Sequence, residues 1–422
     1  MKLFIQSAKL ISKHSEFHNQ VIDLYINNGK IEAIGNNLTP PEKVNIYTHN
    51  NLHISAGWLD LGANFSDPGN EHKETIESGI NAAAKGGFTA VAISPATEPP
   101  IDNKSIVQYV KNKANGAIVD LLPMGAISKG IHGIELAELF DMYETGAVAF
   151  TDGKASVQNP NLLKTALLYC KAFDGLVINY ADHKDLSHKG MMHEGEKSMH
   201  LGLKGIPALA EEIIVNRDLY LLEYTEGKIH FSTLSTAKSV ELIKEAKKKG
   251  LRVTADVSAA HLLIDDSYLD EFDTRFKVQP PFRDKSHIKA LIKGLKDKTI
   301  DVITSNHVPE DIEAKKREFD HAAFGIINLQ TAFGAANTAL KGKLELEEII
   351  EKLADNPRRV LGLEPIQIKE GEMANLTLFS PEENWKLEKS DIASKSKNSP
   401  FIGMELIGKP LGIINHNQIV YS

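Results

Sequence analysis

The chain has 422 residues, of which 42% are hydrophobic and 25% charged, proportions typical of a globular protein with one large and one smaller domain. Its formal net charge of −8 argues against a nucleic-acid or anionic-membrane partner. The single cysteine, Cys170, excludes an intramolecular disulfide framework and favours a cytoplasmic location. We expect no membrane span, and the N-terminal apolar run is too short for a signal-peptide core.

Strand-like composition marks both ends of the chain. Residues 21–34 predict a hairpin, because two β-branched runs flank the turn dipeptide Asn28-Gly29. Residues 375–379, close to the C-terminus, have the same character. We therefore predict one small β-domain built from residues 1–55 and 364–422.

The middle of the chain, residues 56–363, alternates short β-branched runs with helical patterns. Eight such alternations predict an α/β fold, a (β/α)8 barrel of the TIM type. In such barrels the chemistry lies at the carboxyl ends of the strands. The sequence places these ends near Leu61, Ser94, Gly125, Phe150, Tyr180, Ser232, Val257 and Ser305.

The most specific motif follows the first barrel strand. Residues 57–69 resemble the dihydroorotase signature, in which a strand ends in Asp-x-His-x-His-x-Arg-x-Pro-Gly. In this chain Gly62 and Asn64 stand at the two histidine positions, and Ser66 stands at the arginine position. The resemblance continues in collinear order along essentially the whole chain, and it is especially close at residues 201–212 and 394–401.

The resemblance implies a zinc-dependent amidohydrolase, so its metal-ligand positions can be compared one by one. Five of the six positions carry residues that bind zinc poorly or not at all: Gly62, Asn64, Asn179, Thr233 and Asn306. The sixth position, Asp152, keeps a ligating side chain. It is either a remnant metal ligand or, in the interpretation that we favour, a turn residue before Gly153.

The substrate-binding positions are altered as well. By resemblance, an arginine that clamps the substrate carboxylate is replaced by Ser66, and two further substrate contacts are replaced by Ala96 and Gln279. The aspartate that would carry the proton is replaced by Asn306, whose amide cannot do so at neutral pH. The sequence thus predicts no catalytic residues and no metal cofactor, although zinc is the cofactor of the family.

Two functions are compatible with these substitutions. The first is a non-catalytic dihydroorotase-like protein of pyrimidine biosynthesis, acting as a structural or regulatory partner of aspartate carbamoyltransferase or as a homo-oligomer. The resemblance supports it, since some members of the family are inactive homologues that associate with this transferase. The alternative is a divergent dihydroorotase or cyclic amidase with one metal or none. Its remnants would be Asp152, Asp182, His230 and His307.

The remaining candidate groups are interpreted as structural. His230, His261 and His307 are expected to be hydrogen-bonded structural histidines, and Thr236 or Ser235 is expected to cap a helix. Four histidines crowd the loop after the fifth strand: His183, His188, His193 and His200. Their spacing matches no metal motif, so we expect all four in solvent, with a replacement metal site as the alternative.

Overall fold

The computed structural model describes residues 1–422, which form seventeen strands and thirteen α-helices. The strands are β1 (Lys2–Ile11), β2 (Val21–Asn27), β3 (Lys30–Gly35), β4 (Asn45–Tyr47), β5 (His53–Ala56), β6 (Trp58–Ala63), β7 (Phe88–Ile93), β8 (Asp120–Pro123), β9 (Val177–Tyr180), β10 (Met192–His193), β11 (Gly205–Ile206), β12 (Ile229–Ser232), β13 (Val253–Ser258), β14 (Val302–Thr304), β15 (Leu376–Lys386), β16 (Glu405–Asn415) and β17 (Gln418–Tyr421).

The helices are α1 (Ile76–Lys85), α2 (Lys104–Lys113), α3 (Leu139–Thr145), α4 (Pro160–Lys171), α5 (Lys184–Ser187), α6 (Glu196–Leu201), α7 (Ala208–Thr225), α8 (Ala237–Lys248), α9 (Lys285–Lys296), α10 (Ile312–Lys315), α11 (Ala332–Leu340), α12 (Leu346–Leu353) and α13 (Asp355–Leu361). None of them is both long and apolar enough to span a bilayer.

Parallel strands in the middle of the chain close into the predicted barrel. Strands β6, β7 and β8 form one run, and β9, β12, β13 and β14 form another. Phe150 occupies the fourth strand position, since it bridges Gly125 on one side and Val177 on the other. The bridge between Ala63 and His307 closes the ring. The predicted (β/α)8 architecture is therefore confirmed, and the observed strand ends lie within two residues of the predicted ones.

An eight-stranded sheet combines β1–β5 with β15–β17, so both ends of the chain contribute to it. The hairpin predicted around Asn28-Gly29 joins β2 to β3, and both turn residues have the positive φ that its tight turn requires. Sheet and barrel meet at Trp58, whose ring packs against Phe333 and Phe379. The domain boundaries at residues 55/56 and 363/364 stay predictions.

Local signals in the sequence fix the helices that surround the barrel. Thr236 caps α8 by accepting a hydrogen bond from Ser239 N, as predicted. Asp284 caps α9 in the same way.

The thiol of Cys170 is buried in α4, and its burial raises its pKa to about 12, so it is an inert core group.

Candidate functional site

A cavity of about 240 Å³ opens at the carboxyl ends of the barrel strands. It is smaller than the roughly 300–1,000 Å³ of typical drug-sized pockets, so it suits a small molecule. Met124, Ile178 and Phe324 form part of its apolar wall. Its polar side chains include Asn64, Ser94, Thr151, Lys154, Gln279 and Asn306.

Gly62 and Asn64, the two positions at which the resemblance implies histidines, lie at the end of β6 and directly after it. A Cβ atom on Gly62 would lie 2.4 Å from Thr304 Oγ1, and that hydroxyl is fixed because it donates to Asp60 Oδ1 at 2.9 Å. The space that an imidazole would need at Gly62 is therefore filled. The side chain of Asn64 caps its own turn, with Oδ1 accepting a bond from Ser66 N at 2.8 Å.

Of the other three substituted ligand positions, Asn179 lies in β9, and Thr233 and Asn306 follow β12 and β14. Asn179 does not border the cavity, and its amide donates to Asp218 Oδ2 on α7 at 2.6 Å. Thr233 and Asn306 do border it. The amide nitrogen of Asn306 donates to the carbonyl of Gln279 at 3.1 Å, which leaves its Oδ1 without a protein donor. Neither Thr233 nor Asn306 offers a strong zinc ligand.

Unusual backbone conformations occur at three of the positions that the resemblance singles out. Ser66, Thr233 and Asn306 have φ values of 59°, 56° and 50°, in the left-handed region. This region is costly for a β-branched residue such as Thr233, and strained backbone concentrates at functional sites. The surrounding structure thus fixes an uncommon backbone conformation at three positions near the ends of the barrel strands.

Both carboxylate oxygens of Asp152 accept hydrogen bonds within a buried turn. Its Oδ1 accepts bonds from Ile127 N and Ser128 N at 2.9 and 3.0 Å, and its Oδ2 accepts a bond from Ser128 Oγ at 2.6 Å. Burial raises the pKa of this carboxyl, partly offset by those bonds. Asp152 therefore connects its own loop to the loop after β8. Its side chain does not border the cavity.

His230 belongs to a buried network beneath the cavity. Its Nε2 lies 2.9 Å from Asp256 Oδ2, and its Nδ1 lies 2.8 Å from Thr254 Oγ1. The second oxygen of Asp256 accepts a bond from Thr233 N at 2.8 Å. Both ring nitrogens of His230 are thus engaged, so this histidine supports the strand ends and is not a free ligand.

His307 is held in a similar way on the other side of the barrel. Its Nδ1 accepts a bond from Asn328 N at 3.2 Å, and its Nε2 lies 3.5 Å from Glu74 Oε2. Glu74 also bonds to Ser394 and to Lys395 N, the latter at 2.9 Å. Burial raises the pKa of Glu74, but these partners lower it overall. The family-like stretch 394–401 therefore anchors the loop that carries His307.

The four remnants expected for a divergent enzyme are not brought together. The carboxylate of Asp182 accepts a bond from Ser187 Oγ at 2.9 Å, and burial raises its pKa. Neither it nor Asp152, His230 or His307 borders the cavity. The structure thus assembles no catalytic constellation from these groups.

The prediction that all four loop histidines lie in solvent is wrong for His193. His188 and His200 are exposed and His183 is half-buried, whereas His193 is buried beside Arg283. Sequence spacing missed this contact because Arg283 is 90 residues away along the chain. Burial, followed by the positive charge of Arg283, lowers the pKa of His193 to about 4.

His193, Asp284 and His287 lie close enough together to hold a metal ion. Their hydrogen bonds oppose it. Arg283 can only donate, so His193 Nδ1 accepts its bond at 3.1 Å. His287 Nδ1 likewise accepts a bond from Ala237 N at 2.9 Å. Each neutral ring therefore carries its proton on Nε2, which leaves no free lone pair for a metal.

Lys154, which is not among the site residues predicted from the sequence, is the charged residue of the cavity lining. Its Nζ donates to Thr233 Oγ1 at 3.2 Å and lies 4.5 Å from the centre of the Tyr180 ring. Burial lowers the pKa of this ammonium to about 8, although Asp256 and Glu211 oppose the shift. The available signal was its position, two residues after Asp152 in the loop that follows the fourth strand.

A dinuclear zinc site needs imidazoles or carboxylates that converge on one point. The cavity lining contains no histidine, cysteine, aspartate or glutamate. The carboxylate and imidazoles nearest to it are held by the buried contacts described above. The residues of the mouth therefore do not fit the metal centre that the barrel type implies.

Comparison with known proteins identifies the family. A family model described as Dihydro-orotase-like matches residues 53–239. The dihydroorotase of Ruminiclostridium cellulolyticum is 40% identical over 97% of this chain and 96% of its own length. That of Thermoanaerobacter sp. is 38% identical over 100% of this chain and 98% of its own length. The chain belongs to the dihydroorotase family.

Solved structures agree on the fold of this dihydroorotase-family protein. The L-hydantoinase (dihydropyrimidinase) of Arthrobacter aurescens superimposes with a TM-score of 0.86 at 21% identity, covering 100% of this chain and 96% of its own. A D-hydantoinase from Thermus sp. gives a TM-score of 0.83 at 21% identity, covering 99% and 95%. These likenesses concern the barrel with its β-domain and carry no information about the substrate.

Proposed function

We propose that this dihydroorotase-family protein does not hydrolyse cyclic amides and acts in pyrimidine biosynthesis as a structural or regulatory partner of aspartate carbamoyltransferase. The absence of hydrolysis is supported by the lining of the barrel mouth, which has no imidazole, carboxylate or thiolate that could bind a metal. Hydrolysis of the family type needs a metal-bound hydroxide and a carboxylate that moves the proton. Asn306 and Gly62 supply neither. The expected compartment is the cytoplasm, where the buried thiol of Cys170 stays reduced.

A hydrolysis assay with metal analysis tests the loss of activity. The purified chain, dialysed without added metal, is expected to contain well under one zinc per molecule and to show no turnover of dihydroorotate. The dihydroorotase of Ruminiclostridium cellulolyticum, assayed in parallel, is the positive control. About two zinc atoms per chain, or turnover that disappears in Asp152→Ala, would contradict the proposal.

The partner role is supported by an exposed apolar face on α7. Leu209, Ile213, Tyr220 and Tyr224 follow one another at helical spacing on the solvent side, and the two tyrosines are 76% and 73% exposed. The tyrosines alone offer about 300 Å² of surface. A standard interface takes about 800 Å² from each partner, and tyrosine is enriched at its centre. We therefore propose the α7 face as the surface that contacts the transferase.

Size-exclusion chromatography with light scattering tests this surface. The wild-type chain is expected to co-elute with aspartate carbamoyltransferase of the same cell at about 10 µM, and Tyr220→Ser/Tyr224→Ser is expected to weaken the complex at least tenfold. Tyr169→Ser, at a 46% exposed tyrosine of α4, is the matched control and should change little. A monomer that ignores the transferase contradicts the partner role. A homodimer that the α7 variant dissociates assigns this face to a second copy.

A metal-independent cyclic amidase is the second candidate function, favoured by one observation. The cavity is retained, and it holds an amine whose pKa of about 8 suits proton transfer near neutral pH. The test is turnover of a cyclic amide in the presence of a chelator. This candidate requires turnover that Lys154→Met abolishes and that Lys184→Met, at an exposed lysine, leaves unchanged.

A further inference from the structure

A second cavity, of about 700 Å³, lies where the β-domain meets the rim of the barrel. Segment 389–402, between β15 and β16, forms one side of it, and the barrel loops 273–275 and 310–316 form the other. This cavity, the lysine cleft, shares no lining residue with the barrel-mouth cavity. Of its fifteen lining residues only Ile312 and Ile402 are apolar, so its surface suits a strongly polar ligand.

The lysine cleft has an excess of positive charge. Each of its three carboxylates already has a basic partner within 3.3 Å, and the pairs are Asp273 with Arg275, Glu310 with Lys73, and Asp311 with His72. Four lysines of the lining have no carboxylate within 4.0 Å: Lys316, Lys389, Lys395 and Lys397. Since the chain as a whole carries a net charge of −8, this excess is a local feature that attracts anions.

The hydrogen bonding of these four lysines leaves donors free. An ammonium has three N–H donors. Lys316 and Lys389 form no side-chain hydrogen bond within the protein. Lys395 donates to one backbone carbonyl at 2.7 Å, and Lys397 donates to two, at 2.6 and 2.8 Å. Every one of the four ammonium groups therefore retains at least one N–H for an anion.

Two buried lysines add positive charge beneath the cleft. Lys315, which lines its floor, and Lys277 are 5% and 2% exposed, and neither has a carboxylate within 4.0 Å. Lys315 Nζ donates to the carbonyl of Lys277 and to two other carbonyls. Lysines are almost never fully buried without an opposite charge, and such charges are screened weakly. The counter-charge that the protein does not supply is therefore expected from a ligand.

The residue types of the lining favour phosphate over carboxylate. Two parallel N–H donors of an arginine are the usual partner of a carboxylate, whereas lysine binds phosphate as a point charge. Arg275 is the one arginine of the lining, and its Nε and Nη2 already donate to Asp273 Oδ2. Lysines on both sides of a cleft match a chain of linked phosphates. No phenylalanine, tyrosine or tryptophan lines the cleft, so it offers no such ring on which a nucleotide base could stack.

We propose that the lysine cleft binds a polyphosphate group, either inorganic or part of a nucleotide, through Lys316 on the barrel side and Lys389, Lys395 and Lys397 on the β-domain side. The inference goes beyond the proposed function and does not depend on it, because it requires neither a metal-free barrel mouth nor a protein partner. A bound polyphosphate would join segment 389–402 to the barrel loop 310–316.

Isothermal titration calorimetry on the full-length protein without divalent cations tests the proposal. Inorganic triphosphate is expected to bind at least about tenfold more tightly than citrate, a tricarboxylate. Lys316→Glu/Lys389→Glu reverses two charges that form no contact within the protein, so it should weaken triphosphate binding at least about tenfold and leave urea unfolding unchanged. Lys184→Glu/Lys189→Glu is the matched control, since it makes the same charge change at two exposed lysines outside the cleft. This control should keep the wild-type affinity.

Titrations with ATP and UTP distinguish the two sources of the polyphosphate group. Because the lining offers no aromatic side chain for a base, both nucleotides are expected to bind with the affinity of inorganic triphosphate. Tighter binding of a nucleotide that the Lys316→Glu/Lys389→Glu variant also loses would support the proposal and assign the nucleotide as the ligand.

Four outcomes overturn the proposal. They are no binding of triphosphate at millimolar concentration, equal affinity for triphosphate and citrate, unchanged affinity in the folded Lys316→Glu/Lys389→Glu variant, and an equal loss of affinity in the control variant. A poly-glutamate peptide that binds as tightly as triphosphate would also overturn it, because the cleft would then accept an acidic protein segment. None of these outcomes bears on hydrolysis or on the transferase, which the metal, turnover and co-elution measurements test separately.

Discussion

The buried pair Asp256 and His230 beneath the barrel mouth is fully hydrogen-bonded, whereas Lys154 and Asn306 in the mouth itself have donors or acceptors without a protein partner. Asp256 and His230 illustrate the lower layer, where each oxygen and each ring nitrogen has a contact. Lys154 and Asn306 illustrate the mouth. The lower layer fixes the strand ends and so contributes to folding, while the mouth is free to change its chemistry. This explains how the side chains of the mouth can differ while the fold of the family is kept.

The largest effect on stability is expected from Asp256→Ala. The substitution leaves His230 Nε2 and Thr233 N buried without their acceptor, and each buried donor left without a partner costs about 1–3 kcal/mol. Urea unfolding measures the change. Ser232→Ala is the control from the mouth, since this hydroxyl has no hydrogen-bond partner, and we expect a change within about 0.5 kcal/mol. Equal losses in the two variants would remove the distinction between the layers.

A second large effect on stability is expected when the pH is lowered, through the buried His261. Burial lowers the pKa of His261 to about 3, from an ordinary value of 6.5, while its Nε2 contacts the carbonyl of Pro280. Between these two pH values the unfolded chain takes up a proton on His261 that the folded chain does not, so stability falls as the pH is lowered. From pH 6.5 to pH 4 the loss is on the order of 3 kcal/mol.

The variant His261→Gln keeps a donor for Pro280 and removes the titrating group. Urea unfolding at several pH values is expected to show a shallower decline for this variant than for the wild type below pH 6.5. Carboxylates that titrate in the same range affect both proteins equally, so the difference between the two curves isolates His261. Parallel curves would show that this histidine does not remain neutral when the chain folds.

Two lysines with the same lowered pKa allow a smaller, paired test. Burial lowers the pKa of both Lys315 and Lys154 to about 8. Lys315→Met is expected to cost about 2 kcal/mol, because it leaves buried carbonyls without a donor. Lys154→Met is expected to cost nothing measurable or to stabilise the chain near pH 7, since it removes a desolvated charge with one hydrogen bond. Urea unfolding measures the change in the free energy of unfolding for each variant. A similar loss of stability in both variants would show that Lys154 is a structural residue.

The sequence predicted the scaffold better than the site for identifiable reasons. The Asn28-Gly29 turn and the cap at Thr236 are local signals that tertiary packing did not override. His193 and Lys154 depend on contacts between distant parts of the chain. His193 lies against Arg283, and the side chain of Lys154 reaches Thr233, 79 residues away. No periodicity or spacing encodes such contacts, so a charged side chain in the mouth was not foreseen.

The smallest effect is expected from restoring the carboxylate that the family has after the last barrel strand. Asn306→Asp returns a proton carrier, but Thr233 remains a weak ligand and the position beside Gly62 remains filled by Thr304. We therefore expect unchanged zinc content and no dihydroorotate turnover. Metal analysis and the hydrolysis assay check this, with the Ruminiclostridium cellulolyticum dihydroorotase as the active reference. Because one carboxylate cannot hold two metals without imidazoles, either zinc uptake or turnover in this single variant would mean that other groups of the mouth still form a metal centre.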